Sequence, residues 1–530
     1  MTGPNTTSDG WQRLGRRTVP FTAVLVSGLV CGAAFPATLA LAREQGPATA
    51  LAYVLPCCAL LVLLSPLAGL VYWRSVDYRI TEEIIEVRVH LLRRSTRTLR
   101  RERVRTVDVT ANPLHRLLGL AELTAGTGQG AKSEERIKLA PLPRQEADRL
   151  RSLLLHRPGD PPPEPDDELL AALNWRWLRY APVSFAVPAI GAAAFGLALK
   201  VADWFGTEKS LFSFVHTLLD AGLLWPMVLA VGAVGLVIGM LGSLLWFVDQ
   251  WWDYRLERET GGATLRVRRG LLTTRSTSLE QQRLRGVNLI EPLGSRPFGV
   301  ARVEAVGTGI RKTEGDVRTA GYGSLLPAAP RETAERVVAA VLGEEPVPTA
   351  AALPAHPTAA RRKRLVWAVT TVLVPCSLLF VLGVVVDGAL LHAAWIATVV
   401  LLPAAVLLAV DAYRSLGHTL SGAYLVLRSG TFARRTVALQ RSGVIGWKFR
   451  QSVFQRRAGL LSITAVTAAG TGAYTVRDAA EAEGVDFARA AVPGLLDAFL
   501  ETCPKPLSGP VECITPTGPD DGVTTGSSGA

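Results

Sequence analysis

The sequence predicts an α+β membrane protein: six transmembrane helices in three hairpins, each hairpin followed by a cytoplasmic antiparallel β domain with a C-terminal helix. Three observations predict it. Six long stretches lack Asp, Glu, Lys and Arg, the polar segments between them repeat one another, and each repeat alternates like β-structure before ending in a helical pattern. Composition agrees, since 49% hydrophobic residues and a mean hydropathy of +0.26 coexist with a net charge of +12 and a pI near 9.7. Apolar and basic segments therefore alternate along the 530 residues instead of blending into one soluble core.

The apolar stretches run from Thr18 to Ala42, Pro47 to Trp73, Tyr180 to Leu199, Ala221 to Val248, Leu365 to Val386 and Ala389 to Val410. A helix crosses the hydrocarbon core in about 20 residues, so each is long enough. The connections AREQG, KVADWFGTEKSLFSFVHTLLD and VDG join the members of each pair, which predicts hairpins returning to their starting side. Lys and Arg favour cytoplasmic flanks. Arg13, Arg16 and Arg17 precede the first span, Arg176 and Arg179 the third, and Arg361, Arg362, Lys363 and Arg364 the fifth, whereas the turns hold only Arg43, Lys200 and Lys209. Both termini and every large polar segment are therefore expected in the cytoplasm of a multi-pass cell-membrane protein. Trp11, Trp73, Trp175, Trp177, Trp246, Trp251, Trp252 and Trp367 lie near span ends, as an interfacial belt requires. The ALA before Arg43 resembles a signal-peptidase site, but the first apolar run exceeds the roughly 7 to 15 residues of a signal peptide and reads as a retained span.

These limits divide the chain into an N-terminal arm (1–17), hairpin 1 (18–73), domain 1 (74–157), a proline-rich acidic linker (158–177), hairpin 2 (178–248) and domain 2 (249–345). A proline and alanine linker (346–364), hairpin 3 (365–410), domain 3 (411–502) and a polar tail (503–530), expected to be disordered, complete it.

The repeat is read directly. An offset of 180 places Arg103 on Arg283, Arg105 on Arg285, Val107 on Val287, Arg116 on Arg296 and Gly119 on Gly299. A further offset of 160 places Gly270, Leu279, Val287, Arg296 and Gly299 on Gly430, Leu439, Trp447, Arg456 and Gly459. Upstream, Tyr78 and His418 correspond, and repeat two is longer there at Gly261-Gly262, a hairpin turn where an insertion leaves both strands in register. Runs such as YRITEEIIEVRV, STRTLRRERVRTVDVT, TLRVRRG, RGVNLIE and ARVEAVGT predict strands. PLPRQEADRLRSLLLH, PAAPRETAERVVAAVLG and EGVDFARAAVPGLLDAFL predict closing helices, the last broken or kinked at Pro493.

The motifs RVRTV with RLLGL, RLRGV with RPFGV, and GVIGW with RRAGL, each behind a membrane hairpin, resemble the bacterial pleckstrin-homology-like membrane proteins of the YdbS/YdbT type. The resemblance implies a PH-like fold, a bent antiparallel sheet capped by a helix, and assigns the motif positions a structural role. It does not imply phosphoinositide binding, because the residues that bind such lipids in eukaryotic PH domains have no counterpart. The third copy departs from the motif with Gly443 where the others have Arg103 and Arg283.

Leu91 to Asp108 carries Arg93, Arg94, Arg97, Arg100, Arg101, Arg103 and Arg105 against Glu102 alone. Strand alternation would put Arg101, Arg103 and Arg105 on one face, with Val104, Thr106 and Asp108 on the other. Two readings stand: a solvated sheet face, or contact of Arg93, Arg94, Arg97, Arg100 and Arg101 with anionic lipid or a partner just below the bilayer. Nucleic acid is not expected, since no aromatic residues interleave with the arginines. The clusters GTGQG, GTGIRKTEG and the glycines at 470 to 472 lack a phosphate-loop context and read as hairpin turns. The seven histidines are scattered, with His418 assigned to packing, and the cysteines show no ligand spacing. No metal, cofactor or catalytic motif is expected, and the spans lack the internal charges of an ion pathway. The expected function is a non-enzymatic scaffold for lipid head groups or partner proteins at the cytoplasmic face, in envelope homeostasis. Its partners would be membrane lipids and a membrane protein or a second copy of itself. The alternative is an accessory subunit of a membrane transport or lipid-handling complex.

Overall fold

The computed structural model describes residues 11–499 except 14, 82, 91–93, 105, 127–135, 156–167, 184–185, 208–209, 211–212, 214, 216, 218–220, 222–223, 260–263, 309–322 and 387. Arg93, Arg105, the Gly261-Gly262 turn, most of the first two glycine clusters, much of the first linker and the tail lie outside the described residues.

Unit 1 contains β1 (Gln12–Arg13), α1 (Thr18–Gln45), α2 (Pro47–Ser75), β2 (Val76–Ile80), β3 (Ile84–His90), β4 (Arg94–Arg100), β5 (Thr106–Ala111), α3 (Pro113–Leu117), β6 (Leu120–Gly126), β7 (Arg136–Pro143) and α4 (Arg144–Leu155). Unit 2 repeats the plan with β8 (Glu168–Ala172), α5 (Ala186–Trp204), α6 (Leu224–Trp251), β9 (Arg255–Arg258), β10 (Thr264–Arg269), β11 (Thr274–Glu280), β12 (Leu284–Pro292), β13 (Val300–Gly307), β14 (Ser324–Pro330) and α7 (Arg331–Leu342). Unit 3 has α8 (Thr358–Val385), α9 (Gly388–Arg414), β15 (Gly417–Ser421), β16 (Tyr424–Ser429), β17 (Ala433–Gln440), β18 (Val444–Arg450), α10 (Val453–Arg457), β19 (Leu460–Thr467), β20 (Ala473–Ala480) and α11 (Glu481–Ala491).

The six apolar helices are each long and apolar enough to cross a membrane. Small residues let neighbours in sequence approach closely: a Cβ on Gly191 of α5 would stand 2.3 Å from the Gly235 carbonyl oxygen of α6. The third span is displaced from its expected start. Trp175–Val183 winds as a 3-10 segment, and Trp177, Tyr180 and Ala181 pack with Phe247 and Tyr254 in the core of unit 2. Pro182 disfavours α-helix at the residue before it, and burying two aromatic rings outweighs keeping them at a membrane interface. Trp177 is thus a core residue and not part of a belt. Trp11 is also engaged, under the guanidiniums of Arg79 and Arg88 at 5.0 and 3.9 Å, whereas Trp175, Trp246, Trp252 and Trp367 are exposed.

The arm and the first linker are not mere tethers. β1 pairs with β2 and β8 with β9, so the segment before each of these two helix pairs returns as a strand on its own unit. Each unit then holds two antiparallel sheets around one core, closed by an amphipathic helix. Ala334, Val337, Val338 and Val341 of α7, for example, pack on Leu289, Val303 and Leu326. α11 ends at Ala491, two residues before Pro493.

The sheets do not stop at unit boundaries. β11 of unit 2 pairs with β5 of unit 1, giving the order β7-β6-β5-β11-β10-β9-β8. β17 of unit 3 pairs with β12 of unit 2, giving β14-β13-β12-β17-β16-β15. The two joints are equivalent: Thr106 faces Leu279 in the first, and Gly286 faces Leu439 in the second. Neighbouring repeats thus share a sheet at each joint and are not strung as separate beads. Two edges remain without a neighbour among the described residues where the repeat would supply one, β4 of unit 1 and β18 of unit 3.

Candidate functional site

The arginine run lies on one of those edges. Arg94, Ser95, Thr96, Arg97, Thr98 and Arg100 of β4 are exposed and only Leu99 is buried, whereas Thr277 and Leu279 of β11, at the positions of Arg97 and Leu99, are both covered by the joint. The expected alternation fails beyond β4. Arg101–Arg103 forms a 3-10 turn, closed by Val104 N–H donating to the Arg101 carbonyl at 3.0 Å, and β5 is buried on both faces, with Val107 at 0% and Asp108 at 2% exposure. Asp108 instead accepts from Thr277 Oγ1 at 2.9 Å and pairs with Arg275 at 3.3 Å across the joint. Arg101 donates to the Leu153 carbonyl in the last turn of α4, a cation on the negative end of a helix. Gln281 and Arg441, at the same repeat position, donate to Val341 and to Ala490 and Ala491 at the ends of α7 and α11.

Several family-motif positions lie in the cores and turns of the units. Val107 and Val287 are fully buried, and Trp447 packs half-buried against the core of unit 3. Arg103 and Arg283 sit in equivalent 3-10 turns, where Arg283 pairs with Glu280. Gly119, Gly299 and Gly459 share one site, a left-handed residue at φ 67°, 61° and 60° that turns the chain into β6, β13 and β19. Side chains other than glycine rarely adopt that conformation. Arg116 and Arg296 do more than sequence reasoning assigned them. Arg116 donates to the Leu271 carbonyl and Arg296 to the Thr431 carbonyl, equivalent positions in the following unit. Arg296 also donates to the Glu291 carbonyl at 3.1 Å and pairs with Asp411 at the foot of α9. The recurrence of these arginines was visible in the sequence, but their acceptors are backbone atoms of the next repeat and left no side-chain signal. Arg456, the third copy, is exposed, and its guanidinium has no partner among the described residues.

Beside the first joint is an open pocket of about 450 Å³ lined by Arg116 of unit 1 and by Arg255, Arg268, Arg269, Trp175 and Trp252 of unit 2. Trp175 and Trp252 meet edge to face at 5.2 Å where α6 ends. Arg269 is buried, lies 4.4 Å from the Trp251 ring centre, and has its pKa pushed down to about 10 by burial and by the nearby Arg275. Asp253, at φ 49°, lies 3.4 Å from Arg255 and 3.5 Å from Arg268, so one carboxylate is shared by two of the four arginines that line the pocket.

A second polar cluster joins the foot of α8 to unit 3. His418 Nδ1 lies 3.1 Å from His356 Nε2, and His356 Nδ1 lies 3.2 Å from the Asp478 carbonyl. The Asp478 carboxylate accepts from Lys363 at 2.5 Å and Gln455 at 2.9 Å and pairs with Arg364 at 3.4 Å. Burial and the neighbouring His356 push His418 down to about 4, and burial also lowers His356. His418 stands where units 1 and 2 have the buried Tyr78 and Tyr254, so it packs as expected, but its pairing with His356 is long-range and was not legible. No group of three or more potential metal ligands occurs among the described residues.

Comparisons with known proteins bear on this architecture. The family described as "Bacterial PH domain" matches residues 34–158, 169–345 and 377–491, one match for each repeat with at least part of its helix pair. The chain is 21% identical over 439 residues to "UPF0699 transmembrane protein YdbT" of Bacillus subtilis (strain 168), covering 78% of this chain and 84% of that protein. No solved structure matches. With six apolar helices, a transmembrane relative and three family matches that span most of its length, this multi-pass membrane protein belongs to the bacterial PH domain family.

Proposed function

We propose that the chain is a non-enzymatic scaffold at the cytoplasmic face that holds anionic lipid head groups at the joint between units 1 and 2. The observation that carries this reading is the cavity where four guanidiniums and two indoles meet at the foot of α6. Indoles prefer the interfacial level of a bilayer, guanidiniums bind phosphate in a fork geometry, and together they suit a phosphate group entering sideways from the membrane. Cytoplasmic placement rests on the basic residues before each helix pair. Arg94, Arg97 and Arg100 on the exposed strand β4 add a diffuse attraction for anionic lipid, while Arg101 serves chiefly as the cap of α4.

Because the sheets are shared between units, the test uses the full chain. Native mass spectrometry of the detergent-solubilised protein, titrated with phosphatidylglycerol or phosphatidylcholine, should show preferential retention of phosphatidylglycerol that weakens with salt. Each surface guanidinium contributes about 1 kcal/mol, so Arg255→Gln with Arg268→Gln should lower the preference at least about tenfold. Equal retention of both lipids, or a preference unmoved by that double substitution, would reject the site.

A further inference from the structure

The repeat makes its unfilled positions readable. In units 1 and 2 the first strand of the second sheet, β5 or β12, is covered by the third strand of the next unit's first sheet, β11 or β17. β18 is the third copy of that strand, and among the described residues it pairs only with β19. Four of its side chains are consequently exposed, Ile445, Lys448, Phe449 and Arg450: Phe449 is 40% exposed where Leu289 is 0%, and Ile445 is 64% exposed. The space is open as well. A Cβ on Gly286 would lie 2.0 Å from the Ala438 carbonyl oxygen, but one on Gly446, the equivalent position, would meet nothing within 4 Å. Arg456 is the third copy of the arginine that grips the following unit's turn, and it too has no partner among the described residues. Edge, space and clamp are thus all present on unit 3 for a unit beyond the three described.

The charge pattern says which unit fits. Extending the register of the two joints would set Gly446 opposite Leu99, and hence Lys448 opposite Arg97, if the occupant were β4 of a second copy. In the two existing joints the residue at the Lys448 position is Asp108, facing Thr277, or Asn288, facing Val437. Like charges directly opposite destabilise a strand pair, and Arg450 adds a further cation diagonal to Arg97. Charged residues on edge strands are a common device against unwanted pairing, and here they disfavour endless head-to-tail chains of one protein.

We propose that β18 is a docking edge for a different polypeptide carrying a bacterial PH unit, whose first-sheet edge strand adds antiparallel to β18 and presents an acidic residue to Lys448. Main-chain hydrogen bonds supply the affinity of such strand addition, and side-chain pockets supply selectivity. Arg456 then donates to a carbonyl in the partner's turn, as Arg116 and Arg296 do within the chain. This inference stands apart from the lipid reading, since it uses the outer edge of unit 3 and none of the residues that line the pocket.

The test places the photo-crosslinking residue benzoylphenylalanine at Phe449, or in a second version at Ile445, of the full chain in membranes of its native host. Irradiation should give an adduct whose crosslinked peptide lies in a PH unit of another polypeptide, and Lys448→Glu or Arg456→Ala should each reduce its yield at least about tenfold. In the purified chain, Lys448→Glu with Arg450→Glu removes the repulsion from Arg97, so light scattering should reveal concentration-dependent self-association absent from the unaltered protein. Adducts only to lipid, to residues 94–100 of a second copy or to a protein lacking a PH unit would overturn the proposal. So would no protein adduct at either position, or no self-association by the charge-reversed chain.

Discussion

Acidification should loosen unit 3 selectively, through His418. Its imidazole is buried against the Phe487 ring at 4.5 Å and beside His356, with Asp478, Lys363 and Arg364 beyond, and its pKa falls from 6.5 to about 4. The sign follows from proton binding. Above pH 6.5 neither folded nor unfolded chain protonates this group, so its contribution to stability is fully present. Between 6.5 and about 4 the unfolded chain binds a proton that the folded chain refuses, and stability falls as pH falls. The loss reaches about 2 kcal/mol at pH 5 and about 3 kcal/mol near pH 4, at 1.36 kcal/mol per pKa unit. His356 is lowered as well and adds in the same direction. Burial alone would raise Asp478, but its hydrogen bonds from Lys363 and Gln455 leave it lowered, so its own contribution is lost only below the ordinary carboxylate range. Hydrogen exchange of β15 and β16, corrected for intrinsic rates, should show roughly thirtyfold more opening at pH 5 than at pH 7. β9 and β10, around the non-titrating Tyr254, supply the internal control. Equal loosening of both regions, or an undiminished pH slope in His418→Gln, would refute the reasoning.

Arg296→Ala should weaken the second joint by about 2–3 kcal/mol, because it strips Asp411 of one cation and the Thr431 carbonyl of its donor; exchange at Leu289 and Leu439 would register it. Arg456→Ala, lacking such partners, should change the melting temperature of the isolated full chain within about 0.5 kcal/mol equivalent. Alanine at Gly119, Gly299 or Gly459 should cost about 1 kcal/mol at each site through the same left-handed strain, and a melting shift at only one of the three would contradict their equivalence. Topology reporters fused at Pro162, Glu344 and Cys503 should all read cytoplasmic, and an external signal at any one would remove the paired-hairpin arrangement.

Features that repeat or that depend on local periodicity were legible in the sequence. The apolar stretches located the six helices, although α8 begins at Thr358 and takes Arg361 to Arg364 into its first turns, since basic residues at a span's end are compatible with helix. The glycine triad and the buried valines followed from two constant offsets. Sheet order did not follow, because a strand's own residues report which face is buried and not which distant strand lies beside it. β5 shows the difficulty: Val107 and Asp108 are neighbours with opposite chemistry, and both are buried because Thr277 and Arg275 arrive from 169 and 167 residues away. The arginine run looked like a binding device in isolation. Beside β11 and β17 it also reads as the guard on a strand whose edge is unfilled.

The shared sheets impose an order on biosynthesis. β5 leaves the ribosome well before β11, and α5 and α6 are made in between. At about 5–20 residues per second the delay is on the order of ten seconds, during which Val107 and Val109 wait at an open strand edge. Unit 1 can finish folding only once the second helix pair has entered the bilayer and delivered β11 to its side. A chain stalled at that insertion step would therefore display an incomplete sheet of the kind that proteases and aggregation both exploit, so a failure in the membrane would be reported by a domain outside it.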